Sequence, residues 1–162
     1  MTDSKSERAL IVFFRLAMAW TFLYAASHQV FVPGWSVAGF LSSTKTFHAF
    51  YSGLTGPAIS SVLTFLVEYG HLLIGLSLLT GLMVRVSASF GILLMLVVYW
   101  TAHLDFPYVS DTNNLLIDQH VVYAGVLVFL IAKHAGHVWG LDGWIEKTRW
   151  LAGHPSFKPL VV

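Results

Sequence analysis

Apolar residues run along this chain in four blocks, roughly 9–32, 58–83, 86–103 and 115–132, parted by short polar or turn-forming stretches. Each block is close to the ~20 residues that a helix needs to cross a hydrocarbon layer ~30 Å thick. The pattern predicts an all-α fold: one integral membrane four-helix bundle occupying 1–162. The second and third blocks are joined by so short a turn that they must form an antiparallel hairpin. Ser77-x-x-x-Gly81 and Ser87-x-x-x-Gly91 flank that turn, at the spacing that lets membrane helices approach closely.

Two further segments are amphipathic. Between the first and second blocks, residues 35–52 carry Val37, Phe40, Leu41, Phe47, Phe50 and Tyr51 at helical spacing. This external segment either floats at the interface or closes the bundle mouth. After the fourth block, residues 137–151 interleave Trp139, Leu141, Trp144, Ile145 and Trp150 with Asp142, Glu146, Lys147 and Arg149. An interfacial helix with Trp at headgroup level and cations toward anionic lipid is expected there. A few basic residues beside an apolar face mark a membrane surface, so nucleic acid is not an expected partner.

Composition sharpens this picture. Charged residues are 10% of the chain and hydrophobic residues 56%, whereas an ordinary soluble domain is about 25% charged. The first block has no usual cleavage site after a short apolar core, and reads as a retained helix. Cysteine is absent, which excludes disulfides, thiolate metal sites, iron–sulfur clusters and thiol–disulfide chemistry. The net charge of +1 hides an asymmetry. With four spans, Lys5, Arg8, Arg85, Lys133, Lys147, Arg149 and Lys158 fall on one side and only Lys45 on the other. The positive-inside rule then places both termini in the cytoplasm of a multi-pass cell-membrane protein.

Ionisable groups inside the apolar blocks carry the candidate chemistry, because each is costly in hydrocarbon unless partnered or used. Glu68 and His71 lie ~15 and ~20 Å along the second block, near the midplane and three residues apart on one face. Glu-x-x-His occurs in di-iron bundles, but this chain has one copy and no second intramembrane Glu. Glu68 and His71 are the candidate proton-handling pair; the plainer role for Glu68 is to lock helices together. Arg15, one to two turns inside the first helix, is expected to snorkel to the headgroups, with a Glu68 partner as the second possibility. His28, His103, Asp118 and His120 share the outer layer with Tyr24, Tyr99, Trp100 and Tyr123, and His48 lies within reach of it. Such residues also hydrogen-bond water and headgroups at any interface. As a ligand site, His28, Tyr99, His103, Asp118 and His120 suit a quinone headgroup better than a b-type haem or a metal ion, since no compact His spacing is present.

Glu68-x6-Gly75-x5-Gly81-Leu82-x2-Arg85, Asn113-Asn114-x3-Asp118-Gln119-His120-x2-Tyr123 and Gly140-Leu141-Asp142 together resemble the DoxX/DoxD-like membrane proteins. The resemblance implies a four-helix bundle and, for the DoxD branch, a subunit of thiosulfate:quinone oxidoreductase. It carries Glu68 and Arg85 over as family positions, with Arg85 a structural anchor at the inner turn. The resulting expectation is a membrane subunit of a respiratory oxidoreductase that handles quinone, with a partner subunit supplying any sulfur chemistry. A non-catalytic accessory subunit of a larger membrane complex is the alternative.

Overall fold

The computed structural model describes residues 4–101, 117–148, 151 and 153–161, and these contain helices, turns and no strand. Helix α1 spans Lys5–Val30, opened by Ser4, whose hydroxyl accepts from the Glu7 amide. Short helices α2 (Val37–Ser42) and α3 (His48–Ser52) follow. Helix α4 is Pro57–Thr80, started by proline in its first turn and ended by Gly81 in the left-handed conformation. Helix α5 (Val84–Leu93) runs on into seven π-helical residues, Leu94–Trp100. Helix α6 is Gln119–Ala132, α7 is Leu141–Ile145 and α8 is Lys158–Val161.

The four long elements close into a ring: α1 packs on α4, α4 on α5, α5 on α6 and α6 on α1. Two of them, Lys5–Val30 and Pro57–Thr80, are long and apolar enough to cross a membrane; Val84–Trp100 and Gln119–Ala132 are shorter apolar helices. The core is a stripe from each helix. Ile11, Arg15, Met18, Ala19, Phe22, Ala26 and Gln29 are the buried face of α1. His71, Ile74 and Leu78 belong to that of α4, and His120, Ala124, Leu127 and Leu130 form that of α6. These positions recur every three or four residues, as one helical face must. Trp20, Phe13, Leu73 and Phe90 point the other way and are exposed, as lipid-facing side chains are. Close approach depends on glycine. A Cβ at Gly75 would lie 2.7 Å from Leu23 Cγ, and one at Gly91 would lie 2.9 Å from Leu127 Cδ1. The α4–α5 hairpin is closed by a 2.7 Å bond from the Ser77 to the Ser87 hydroxyl.

Two segments depart from the expected single amphipathic helices. Residues 35–52 break into α2 and α3 because Ser42, Ser43 and Thr44 turn their hydroxyls onto the Gly39, Phe40 and Leu41 carbonyls, competing with helix continuation. The pair is docked rather than floating. Val37, Leu41, Tyr51 and Val67 form a second small core, and the Val37 amide donates to Thr64 of α4. Tyr51 donates its hydroxyl to the Val97 carbonyl in the π segment. At the other end, 137–151 does not form one long helix. Only α7 is helical between 137 and 148, and Asp142 within it is buried while Trp139 and Trp144 stay exposed.

Candidate functional site

Four elements each send a polar group into the half of the bundle that holds the start of α6. Asp118 is the N-cap of α6: its Oδ1 accepts from the amides of His120 and Val121 at 3.0 and 3.2 Å. Its Oδ2 accepts a hydrogen bond from His120 Nδ1 at 2.6 Å. The helix start thus fixes the carboxylate, and the carboxylate fixes the imidazole, leaving the lone pair of neutral His120 on Nε2. The Tyr99 ring stacks on His120, with centroids 5.3 Å apart and planes 5° off parallel. On its other side Tyr99 meets His71 edge-on at 5.7 Å, and its hydroxyl lies 3.5 Å from His71 Nε2.

His71 is 2% exposed. Its Nδ1 lies 2.7 Å from the Val67 carbonyl. A carbonyl can only accept, so Nδ1 carries the proton and Nε2 is an acceptor. Phe22 of α1 packs against this ring at 5.7 Å, and Phe40 of α2 covers Tyr99 at 5.4 Å. Gln29 of α1 completes the group through a side-chain hydrogen bond with Tyr99. The result is a column of rings, His120–Tyr99–His71–Phe22, running from the start of α6 toward the middle of the bundle. Tyr99 enters it from the π segment, where the Thr101 amide bonds to the Leu96 carbonyl; such wide turns concentrate at functional sites.

The structure therefore brings together Tyr99, Asp118, His120 and His71. His28 lies apart on an exposed face, its Nδ1 3.0 Å from the Tyr24 carbonyl and its ring against the exposed Tyr24. His48 is likewise exposed, bonded to the Thr44 carbonyl. Glu68 sits half-buried at the margin of the α4 stripe, while His71 fills its centre. His103 lies outside the described residues. Gln29 is the member that reasoning by depth missed, although it continues the Phe22, Ala26 spacing. Among the described residues, no group of three His, Asp or Glu side chains could hold a metal ion.

Arg15 does not snorkel. It is 3% exposed, and its guanidinium reaches across to the chain that follows α6. Nη1 donates to the carbonyls of Ala135 at 2.6 Å and Val138 at 2.8 Å, and Nη2 to that of Trp139 at 3.3 Å. The turn is shaped for this: His134 is left-handed at φ 46, with the Ala135 amide bonded back to the Leu130 carbonyl in a Schellman closure. Beside it, Asp142 accepts from the Met83 and Val84 amides at 2.6 and 3.1 Å, and its own amide donates to the Gly81 carbonyl. Gly81, Gly136 and Gly140 leave the space; a Cβ at Gly136 would fall 2.0 Å from Asp142 Oδ2. Asp142 thus anchors the α4–α5 turn through the Met83 and Val84 amides, and Arg85 is exposed in the first turn of α5.

A sequence model of the DoxX family matches residues 10–104, more than half of the chain. No curated protein and no solved structure matches it.

Proposed function

The chain belongs to the DoxX family of membrane proteins, which is associated with oxidoreductase-related functions, and from that premise we propose that it is a membrane subunit of an oxidoreductase that handles quinone. The observation that carries this reading is the buried ring column ending on the Asp118–His120 pair. Interconverting a quinone and its quinol moves two protons with two electrons, so the site needs a base beside the headgroup oxygen. His120 suits that role: its carboxylate partner stabilises the imidazolium once Nε2 has taken a proton. Tyr99 offers a flat wall for a ring, and Phe40 a roof. His71, about one turn deeper along α4 than Glu68, extends the polar path inward. The electrons would be exchanged with a partner subunit that acts on the second substrate, a reduced sulfur compound in the DoxD-like case. All four long helices would cross the bilayer with both termini in the cytoplasm, placing the column at the outer face.

The test is equilibrium binding of decylubiquinol, kept reduced under anaerobic conditions, to the purified protein. One lost neutral hydrogen bond is worth about 1 kcal/mol, so His120→Ala should weaken binding about fivefold, and Tyr99→Leu, which also removes the stacking wall, by more. Val128→Leu, on the exposed face of α6, should change nothing. If all three variants bind like the wild type, the ring column is structural and the chain is an accessory subunit.

A further inference from the structure

Gln29 is 7% exposed, and its side-chain oxygen is buried without a hydrogen-bond partner. Leaving such an acceptor unmade costs about 1–3 kcal/mol, so the position calls for a use. Its orientation follows from its neighbours. His71 spends its only N–H on the Val67 carbonyl, so Nε2 accepts the Tyr99 proton. The Tyr99 oxygen is then left to accept from Gln29. Gln29 must therefore turn its NH2 to Tyr99 and its carbonyl oxygen away. His120 likewise donates its Nδ1–H to Asp118 Oδ2. In this cluster the N–H and O–H groups of His71, Tyr99 and neutral His120 are already directed at protein acceptors, and the orphan at Gln29 is an acceptor.

We propose that the site is built for the reduced, hydroxyl-bearing form of its ligand, and that Gln29 is the residue that selects it by accepting a hydrogen bond from a quinol O–H. A quinone carbonyl brings a second acceptor to an acceptor; a quinol brings the donor that Gln29 lacks. This rests on the quinone reading above and adds to it which redox form is held and by which residue. Preferential binding of the quinol raises the midpoint potential of the bound couple, by about 30 mV for each tenfold preference.

The experiment compares three probes on the purified wild-type protein under anaerobic conditions: decylubiquinol, decylubiquinone and the dimethyl ether of decylubiquinol, which keeps the ring but has no O–H. Decylubiquinol should bind about tenfold tighter than either of the others, the size of one well-made hydrogen bond. Gln29→Met, similar in length and without the amide, should weaken quinol binding about tenfold and change quinone binding by no more than about twofold. The ratio of quinol to quinone affinity in His120→Ala, where Gln29 is the remaining acceptor, decides the matter if Gln29→Met does not fold: it should stay at about tenfold. Equal affinities for quinol and quinone would overturn the inference, assigning the Gln29 oxygen to a water and leaving the quinone reading in place. Binding of none of the three would overturn that reading and the inference with it.

Discussion

At the scale of single residues, the strongest commitments lie at the end of the bundle that holds the α4–α5 turn, where Arg15 and Asp142 each satisfy backbone groups of a different segment. Three donations from one guanidinium to the carbonyls of Ala135, Val138 and Trp139 are charge-assisted, and removing them strands buried acceptors. Arg15→Met is predicted to cost about 3 kcal/mol or more. Arg15→Lys, which keeps the charge but not the fork, should recover only part of this. Thermal unfolding in detergent, followed by tryptophan fluorescence, would show it; a midpoint unchanged in the Met variant would refute the latch. Asp142 supplies a pH signature. Burial is the largest influence on its carboxyl and raises its pKa above 3.8, against the Met83 and Val84 amides, His137 and Arg15, which pull it down. A carboxyl raised in the folded state binds more protons folded than unfolded. Its contribution to stability is therefore complete below 3.8 and declines as pH rises through the folded value. The stability of the wild type relative to Asp142→Asn should fall as pH increases through the window that opens above 3.8. A difference that is flat, or that grows with pH, would contradict the assignment.

At the scale of helices, packing distance is set by where side chains are missing. Gly75→Ala forces a Cβ to within 2.7 Å of Leu23 Cγ and 3.0 Å of the Leu23 amide nitrogen, so α1 and α4 must separate. The predicted loss is about 1–3 kcal/mol. Gly70→Ala, one turn outward on the same helix, meets nothing within 4 Å. It should be neutral or stabilising by up to about 1 kcal/mol, and parallel melts of the two variants make the comparison. Similar effects from both would mean that α1–α4 contact does not depend on Gly75. The helices themselves were legible in the sequence, because long apolar blocks bounded by Ser4, Pro57 and Gly81 leave few alternatives. Their inward residues were legible too, but only by period: Arg15, Phe22, Ala26 and Gln29 share one stripe, and His28 falls outside it. Sorting by depth instead grouped His28 with His120 and passed over Gln29. What could not be read was where the short segments dock. The bonds from Asp142 to Met83 and Val84 join positions 59 and 58 residues apart, and no local pattern announces such a meeting. The break between α2 and α3 was visible in the Ser-Ser-Thr run, had its competition for backbone carbonyls been weighed.

At the scale of the whole molecule, the Lys and Arg asymmetry predicts that residues before α1 and those between α1 and α4 lie on opposite sides of the bilayer. The chain has no cysteine, so Ser6→Cys and Ser42→Cys each provide one exposed thiol. An impermeant maleimide added to intact cells should label the second and not the first; labelling of the first alone would reverse the topology and move the ring column to the inner face, and labelling of both would mean that α1 does not cross. The same latch that closes the bundle also has a consequence in time. Arg15 emerges early in synthesis, yet its first acceptor, the Ala135 carbonyl, comes 120 residues later. At about 5–20 residues per second, the ribosome takes roughly 6–24 s to cover that distance. Throughout that interval the first helix holds a cation in a membrane with no carbonyl to receive it. A nascent chain thus differs from a finished one by a guanidinium still without its three carbonyls, until the last helix and its turn have arrived.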